Sequence, residues 1–359
     1  MKHKFHTVKI KEIQRETSDT ITVEFDIPDH LESSLLYEAG QYLTLRTQVN
    51  GEEMQRPYSL STAPYEKKWE VAIKKTEDGA FSQFAHEHFE VGQPVDIMGP
   101  EGHFTIKTKI DQSKRYVFFA AGSGITPVIS LIKEVLDQEP NSYIQLFYGN
   151  KKFSTIIFYR ELQELQSAHA DRFDIEYFFS EEPMKDALYC GRLDVSKCTM
   201  LAEKMVLDIP GTDEIYLCGP EEMIFDLKKM FVEEGVSEKN IHFELFESEL
   251  GNKLKYKEAS MTSNNNDMSE VTITLDGEEH VLMVPFDDLP ILEYVLDEGY
   301  PAPFSCLGGV CCSCRAKLIE GEVEMIANFS LDEEEVEEGY RLTCQSMPKS
   351  AKIHLDYDQ

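Results

Sequence analysis

Short runs in which apolar and polar residues alternate fill the first third of the chain. Thr7–Glu12, Thr20–Asp26, Tyr42–Gln48, Trp69–Lys75 and Pro94–Met98 are β-rich and are separated by turn-forming residues. A period of two, broken at short intervals, predicts the strands of a small antiparallel barrel. After about Lys109 the period lengthens. Arg115–Ala120 is largely apolar; a glycine turn follows, then Val128, Ile129, Leu131, Ile132, Val135 and Leu136 at helical spacing. The alternation continues with a strand at Tyr143–Tyr148, a helix near Ile157–Gln166, a strand at Phe173–Phe179 and a helix near Val195–Val206. A strand at Glu214–Cys218, a helix at Glu221–Glu234 and a strand at Ile241–Phe246 complete it. Strand and helix in turn predict a parallel sheet with helices on both faces.

The pattern breaks between Ser248 and Glu270, where Ser260, Thr262, Ser263 and Asn264-Asn265-Asn266 stand with little apolar content. Such composition marks a linker. A chain of 359 residues has room for two or three domains. The expected division is 1–109 for the barrel, 110–247 for the α/β domain, 248–270 for the linker and 271–359 for a last domain.

Composition narrows the function classes. The net charge of −31 argues against nucleic acid and anionic membrane surfaces as partners. The stretch from Val271 onward holds 19 Asp and Glu against 5 Lys and Arg, which is either a solvated face or a docking surface for a basic partner. No apolar run is long enough for a transmembrane helix. The polar residues after Met1-Lys2-His3-Lys4-Phe5 do not form a signal peptide. Of eight cysteines, five lie within Cys306–Cys344 and three are scattered. That is metal usage, not a disulfide framework, and it points to the cytoplasm.

Cys306, Cys311 and Cys314, with a distant Cys344, follow C-x4-C-x2-C and a lone fourth cysteine. This is the plant-type spacing for four thiolates around a [2Fe–2S] cluster. Gly308 and Gly309 let the backbone fold close to the metal. A disulfide scaffold would need a secreted chain, and a zinc site usually shows two CxxC pairs. Cys312 reads as a packed neighbour of the ligands. Pro303-Phe304-Ser305-Cys306 and the run Leu331–Cys344 resemble a plant-type ferredoxin, with the β-grasp α+β fold that this implies, from Val271 to the C-terminus.

Three further stretches carry chemistry. In Arg56-Pro57-Tyr58-Ser59 the arginine can pair with a diphosphate, the tyrosine can stack on a flat ring and the serine can reach a ring nitrogen. Gly79-Ala80-Phe81-Ser82 precedes an expected helix at Gln83–His88, whose free N–H groups suit a phosphate. Ala120-Ala121-Gly122-Ser123-Gly124-Ile125-Thr126-Pro127 follows a strand and opens a helix, where a pyrophosphate can approach. It lacks the third glycine of the Rossmann fingerprint.

In this order and spacing the motifs resemble the ferredoxin–NADP reductase superfamily, which has G-x-G-x-x-P at the last position. The resemblance implies a flavin domain in which Arg56, Pro57, Tyr58 and Ser59 match the R-x-Y-S motif. Ala72 and Lys74 fall at its adenosine and ribose contacts, and Gly79, Phe81 and Ser82 at its pyrophosphate loop. FAD is the implied cofactor, with FMN the alternative. In the nucleotide half, Gly122, Gly124, Thr126 and Pro127 match the glycine turn. Cys218, Gly219 and Pro220 match C-G-P, whose cysteine lies near the nicotinamide. Glu244 and Phe246 match the terminal glutamate and flavin-shielding aromatic, although here the chain continues past them. Ser59, Cys218 and Glu244 are the implied catalytic set. Asn150 and Lys151, with Lys152, lie where the adenine ribose is read, and the lysines favour NADPH over NADH.

The whole chain looks most like the reductase components of multicomponent oxygenases, the phenylacetyl-CoA epoxidase system among them. The implied path runs from NAD(P)H through FAD and [2Fe–2S] to an acceptor protein such as an oxygenase component. The flavin divides a hydride into single electrons, and the linker lets the last domain move between donor and acceptor. The acidic run Asp332–Glu338 is the expected docking face. Two other readings stay open: an electron carrier reduced by another protein, and a standalone NAD(P)H diaphorase.

Overall fold

Asn50 and Gly51 both adopt positive φ, 54° and 89°. That is the geometry of a tight hairpin turn whose twist matches its flanking strands. The turn creates a strand that the hydrophobic pattern does not announce. The computed structural model describes residues 4–77, 79–246, 268–286 and 288–359. These form two units, the larger built from Phe5–Met54 and Tyr58–Leu245, the smaller mainly from Phe246–Gln359.

The larger unit begins with β1 (His6–Arg15), β2 (Thr20–Asp26), α1 (Asp29–Glu32), β3 (Tyr42–Val49) and β4 (Glu52–Ser59). It continues with β5 (Trp69–Lys74), α2 (Ala80–His88) and β6 (Pro94–Glu101). The sheet order is β4-β3-β6-β1-β2-β5. Leu60, just past β4, bridges Val71 on β5, so the two ends of the order meet and the sheet curls into a barrel. β4 is the strand the pattern missed. It carries Pro57 and three acidic or basic residues, and it runs along the end of the order, where a proline leaves no ladder partner unpaired. α2 starts at Ala80, ahead of the expected Gln83, so Phe81 and Ser82 belong to its first turn.

β7 (Arg115–Ala121), α3 (Ile125–Gln138), β8 (Tyr143–Asn150), α4 (Tyr159–Ala168) and β9 (Phe173–Phe179) follow. Then come α5 (Val195–Glu203), β10 (Glu214–Cys218), α6 (Glu221–Glu233) and β11 (Ile241–Glu244). All pairings in the order β11-β10-β7-β8-β9 are parallel. Both faces are covered. Phe118 and Ala120 pack with α3, while Phe119 stacks on Phe147 and meets Phe231 of α6. That explains the unbroken apolar run of β7. α3 is buried almost all round, its polar Ser130 and Lys133 included. Ser130 Oγ donates to Thr62 O at 2.6 Å, and Lys133 Nζ donates to Ser61 O at 3.1 Å. One side of α3 therefore serves the parallel sheet and the other the barrel. β8 extends to Asn150, so Gly149 and Asn150 end a strand; β11 stops at Glu244, so Phe246 lies beyond it.

The smaller unit has β12 (Met268–Leu275), β13 (Glu278–Pro285), α7 (Ile291–Asp297), β14 (Arg315–Glu320) and β15 (Val323–Met325). α8 (Glu333–Glu337), β16 (Tyr340–Leu342), β17 (Ser346–Pro348) and β18 (Lys352–Asp356) complete it. The sheet order is β13-β12-β18-β14-β16, with β12 and β18 parallel. It closes over Ile291, Leu292 and Val295 of α7. β12 begins at Met268, before the expected start at Val271; most of the expected linker, residues 248–267, lies outside the described residues.

Candidate flavin, nucleotide and iron-sulfur sites

Cys306, Cys311 and Cys314 lie on the loop between α7 and β14, and Cys344 on the turn between β16 and β17. Two loop residues, Leu307 and Gly309, take positive φ of 56° and 74°. A Cβ at Gly309 would stand 3.0 Å from Gln345 Cγ and 3.1 Å from Ala327 O, so glycine is required there by space as well as by φ. Gly308 has neither demand; its amide instead donates to Cys306 Sγ at 3.3 Å. The thiol of Cys306 hydrogen-bonds with those of Cys311 and Cys344, and Cys344 with Cys314. Hydrogen bonds from Cys311 and Cys344 lower the Cys306 thiol against the opposing effect of burial, while those bonds and then burial raise Cys311 and Cys344. Among the described residues no trio of His, Cys, Asp or Glu is placed to hold one metal ion. A two-iron cluster needs no such trio, because its four thiolates divide between two irons. The donor set fits that cluster.

Gln345 is the residue here that the spacing does not disclose. Fully buried, it donates from Nε2 to Leu307 O at 3.1 Å and to Cys344 O at 2.8 Å. It stitches the three-cysteine loop to the distant Cys344. Thr343 Oγ1 donates to Cys314 O at 2.9 Å. Cys312 is buried and donates to Ser330 O at 3.4 Å. Cys306 alone of the four ligand candidates reaches the surface.

On the flavin side, β4 carries Arg56, Pro57, Tyr58 and Ser59, and β5 carries Ala72 and Lys74. Arg56 Nη1 donates to Gln55 O at 2.6 Å. Tyr58 packs on Phe81 with ring centroids 5.7 Å apart, and Phe81 is a core residue under it. Gly79 has an ordinary φ of −87°, yet a Cβ there would sit 2.0 Å from Thr76 Oγ1. Ser82 Oγ donates to Gly79 O at 3.0 Å and accepts from Thr76 N at 3.2 Å, closing the loop before α2.

The nucleotide motifs converge at the ends of β7 and β10. A Cβ at Gly124 would lie 2.1 Å from Cys218 O and 3.0 Å from Gly219 N. One at Gly219 would lie 3.0 Å from Ala121 Cβ. The C-G-P turn thus requires a glycine at 124, while Gly219 packs closely on the residue before the G-S-G turn. α3 opens at Gly124 with no side-chain cap, and Gly122 takes a φ of 55°, which leaves backbone N–H groups for an anion. Thr126 Oγ1 donates to Ser123 O at 3.0 Å, and Pro127 is buried behind it. Pro220 caps α6. Asn150 is buried with its Nδ2 unpartnered. Lys151 Nζ lies 3.7 Å from a Glu181 carboxylate.

Three residues far apart in sequence meet here. Ser59 Oγ donates to Glu244 Oε2 at 3.1 Å. Glu244 sits beside Cys218 in the parallel β10–β11 register. Burial pushes the Glu244 carboxyl up to about 8, against a smaller opposing effect of Ser59. Burial, and secondarily Glu244, push the Cys218 thiol well up. Both groups therefore hold their protons at neutral pH. Phe246 is exposed beyond β11.

Three family models match the chain in series. They are an oxidoreductase FAD-binding domain over 7–106, an oxidoreductase NAD-binding domain over 118–229 and a 2Fe-2S iron-sulfur cluster binding domain over 273–349. One component of the 1,2-phenylacetyl-CoA epoxidase of Escherichia coli (strain K12) is 33% identical over 354 residues, 99% of this chain and 98% of that one. The chain belongs to the ferredoxin–NADP reductase superfamily, in the branch with a C-terminal [2Fe–2S] domain. The ferredoxin reductase component of the 3-ketosteroid-9-alpha-monooxygenase of Rhodococcus rhodochrous is 29% identical, over 97% of this reductase and 95% of that protein. Phthalate dioxygenase reductase shares the fold, with a TM-score of 0.58 at 22% identity, each chain covered to 98%. The reductase is an oxidoreductase with FAD, NAD and [2Fe–2S] domains. No helix among its described residues is long and apolar enough to cross a membrane.

Proposed function

We propose that the reductase takes hydride from NAD(P)H at the Ser59–Glu244–Cys218 cluster and delivers single electrons to an oxygenase component from the domain that holds Cys306, Cys311, Cys314 and Cys344. The observation that carries this is the meeting of Ser59 Oγ and Glu244 Oε2 at 3.1 Å beside Cys218, where the flavin and nucleotide motifs end. When bound, FAD accepts a hydride and the cluster takes one electron at a time. Arg56, Tyr58 and Ser59, with Ala72, Lys74, Gly79 and Ser82, hold and orient the flavin. Gly122, Gly124, Thr126, Asn150 and Gly219 seat the dinucleotide. Glu244 holds its proton beside the Ser59 hydroxyl, which donates to Oε2; when that hydroxyl turns to accept, the carboxyl can pass its proton through Ser59. Buried Cys218 stays a thiol and excludes water. The division 1–109, 110–247, 248–270 and 271–359 is the working partition of these roles, and the cytoplasm is their setting.

The docking face is proposed on α8. Glu333, Glu334, Glu337 and Glu338 are exposed. Glu335 belongs to the fold: it pairs with Arg315 at 2.5 Å and closes a capping box with Asp332. A test by charge reversal therefore belongs at Glu333 and Glu334, not at Glu335. Lys151 lies 3.7 Å from Glu181, which weakens the lean toward a 2′-phosphate that Lys151 and Lys152 give.

Anaerobic titration of the purified protein with NADH and, separately, NADPH tests the reading. Bleaching of flavin and cluster together with about three electrons taken up is expected. Reduction by dithionite but by neither coenzyme would overturn it.

A further inference from the structure

One buried hydroxyl in the nucleotide domain has no part in the roles above. Tyr148, on β8, is completely buried. Its hydroxyl donates to Gly122 O at 3.0 Å and accepts from Ile157 N at 3.3 Å. The Asn150 side chain lies against the same oxygen. A single atom thus joins the glycine turn after β7, the end of β8 and the segment that leads into α4.

The geometry at Gly122 gives this joint a consequence. The Gly122 carbonyl accepts from the Ile125 amide as well as from Tyr148, so both of its lone pairs are used. A trans peptide directs its N–H opposite to its C=O. Holding the Gly122 carbonyl toward Tyr148 therefore aims the Ser123 N–H the other way, off the turn. Gly122 has a φ of 55° and no Cβ to resist a peptide flip. The hydroxyl adds a second restraint on that carbonyl, from a neighbouring strand, to the one the Ile125 amide supplies. The same oxygen seats Asn150: its buried Nδ2 lies against the Tyr148 hydroxyl without a well-formed hydrogen bond among the described residues, so an amide N–H is left for a ligand acceptor.

We propose that Tyr148 is a positioning residue for the dinucleotide: its hydroxyl fixes the direction of the Ser123 N–H and the seat of the Asn150 amide. This rests on the reading that the coenzyme binds at the glycine turn. Removing the hydroxyl leaves the buried Ile157 amide unpaired and the Gly122 carbonyl with the Ile125 amide alone, which should weaken coenzyme binding about tenfold.

The test compares Tyr148→Phe with Tyr116→Phe in the full flavin- and cluster-loaded protein. Tyr116 is also buried in this domain, and its hydroxyl bonds to Glu139 at 3.0 Å. Stopped-flow flavin reduction over a range of NADH and NADPH concentrations separates the coenzyme dissociation constant from the limiting rate. The expected result is a dissociation constant about tenfold higher for Tyr148→Phe, a limiting rate little changed, and no rise for Tyr116→Phe. Equal constants in Tyr148→Phe and the parent, or equal rises in both variants, would overturn the proposal. A parent protein that binds neither coenzyme would overturn the functional reading and this inference together. Amide exchange on the parent protein gives a second measurement that needs no variant. Saturating coenzyme should slow exchange in the segment 153–158, which carries the Ile157 amide. Unchanged exchange there counts against the joint.

Discussion

Glu244 is an acid whose pKa burial raises from the usual 4.5 to about 8. Its neutral form is therefore the one the fold favours. The stability it contributes is fully present below 4.5 and is lost as pH rises through about 8. Glu70, raised to about 7 by burial, has the same sign, so the comparison must be between variants. We expect the thermal transition of Glu244→Gln to fall less between pH 6 and 9 than that of the parent; parallel curves would show that Glu244 does not titrate there. Lys151 and Glu181 give a second prediction. Their pair is exposed and 3.7 Å long, worth about 0.2–1 kcal/mol. Glu181→Gln should then raise kcat/KM for NADPH relative to NADH by about 1.4- to five-fold. The residue identities at both places are plain in the sequence. What faces them is not: Ser59 ends β4, Glu181 follows the end of β9, and no spacing rule brings them in.

At the scale of elements, most strands and helices were legible because their apolar period matched their burial. β4 was not. Its charges and Pro57 hide a strand, and the signal lay in Asn50-Gly51, whose positive φ values are those of a hairpin turn. α8 was legible as an acidic run but not as a mixed one. Glu335 is spent on Arg315 and the helix cap, while four other glutamates face water. Glu333→Lys with Glu334→Lys should flatten the salt dependence of acceptor reduction without loss of cluster content; a slope equal to the parent's would remove α8 from the docking face. α3 offers a test of packing. Lys133 is buried and bonded to Ser61 O, Glu66 at 3.2 Å and Glu161 at 2.5 Å. Lys133→Ala strands two carboxylates and a carbonyl. It should cost about 3 kcal/mol, toward the low end for a buried pair because Glu161 reaches solvent, and is read as earlier flavin release on heating.

Over the whole molecule, the separation of roles predicts separable losses. Cys344→Ser should deplete the cluster and abolish electron delivery to a protein acceptor, while NAD(P)H still reduces the flavin at the parental rate. Iron content, visible spectra and stopped-flow traces check it; loss of flavin reduction as well would show that the units are not independent. The sequence by itself determined the number and order of the domains' motifs, the fold classes and the four-cysteine pattern, because cluster ligation and glycine turns demand particular residues at short, fixed spacings. The tertiary structure decided what those motifs lean on. Gly124 is a glycine because Cys218 O would meet its Cβ at 2.1 Å, and Gln345 ties Cys344 to Leu307 at 3.1 Å. Ser59 and Glu244 meet across 185 residues of chain, and Tyr148 holds Gly122 from the next strand. Contacts between distant segments depend on strand register and packing, which only the folded chain supplies.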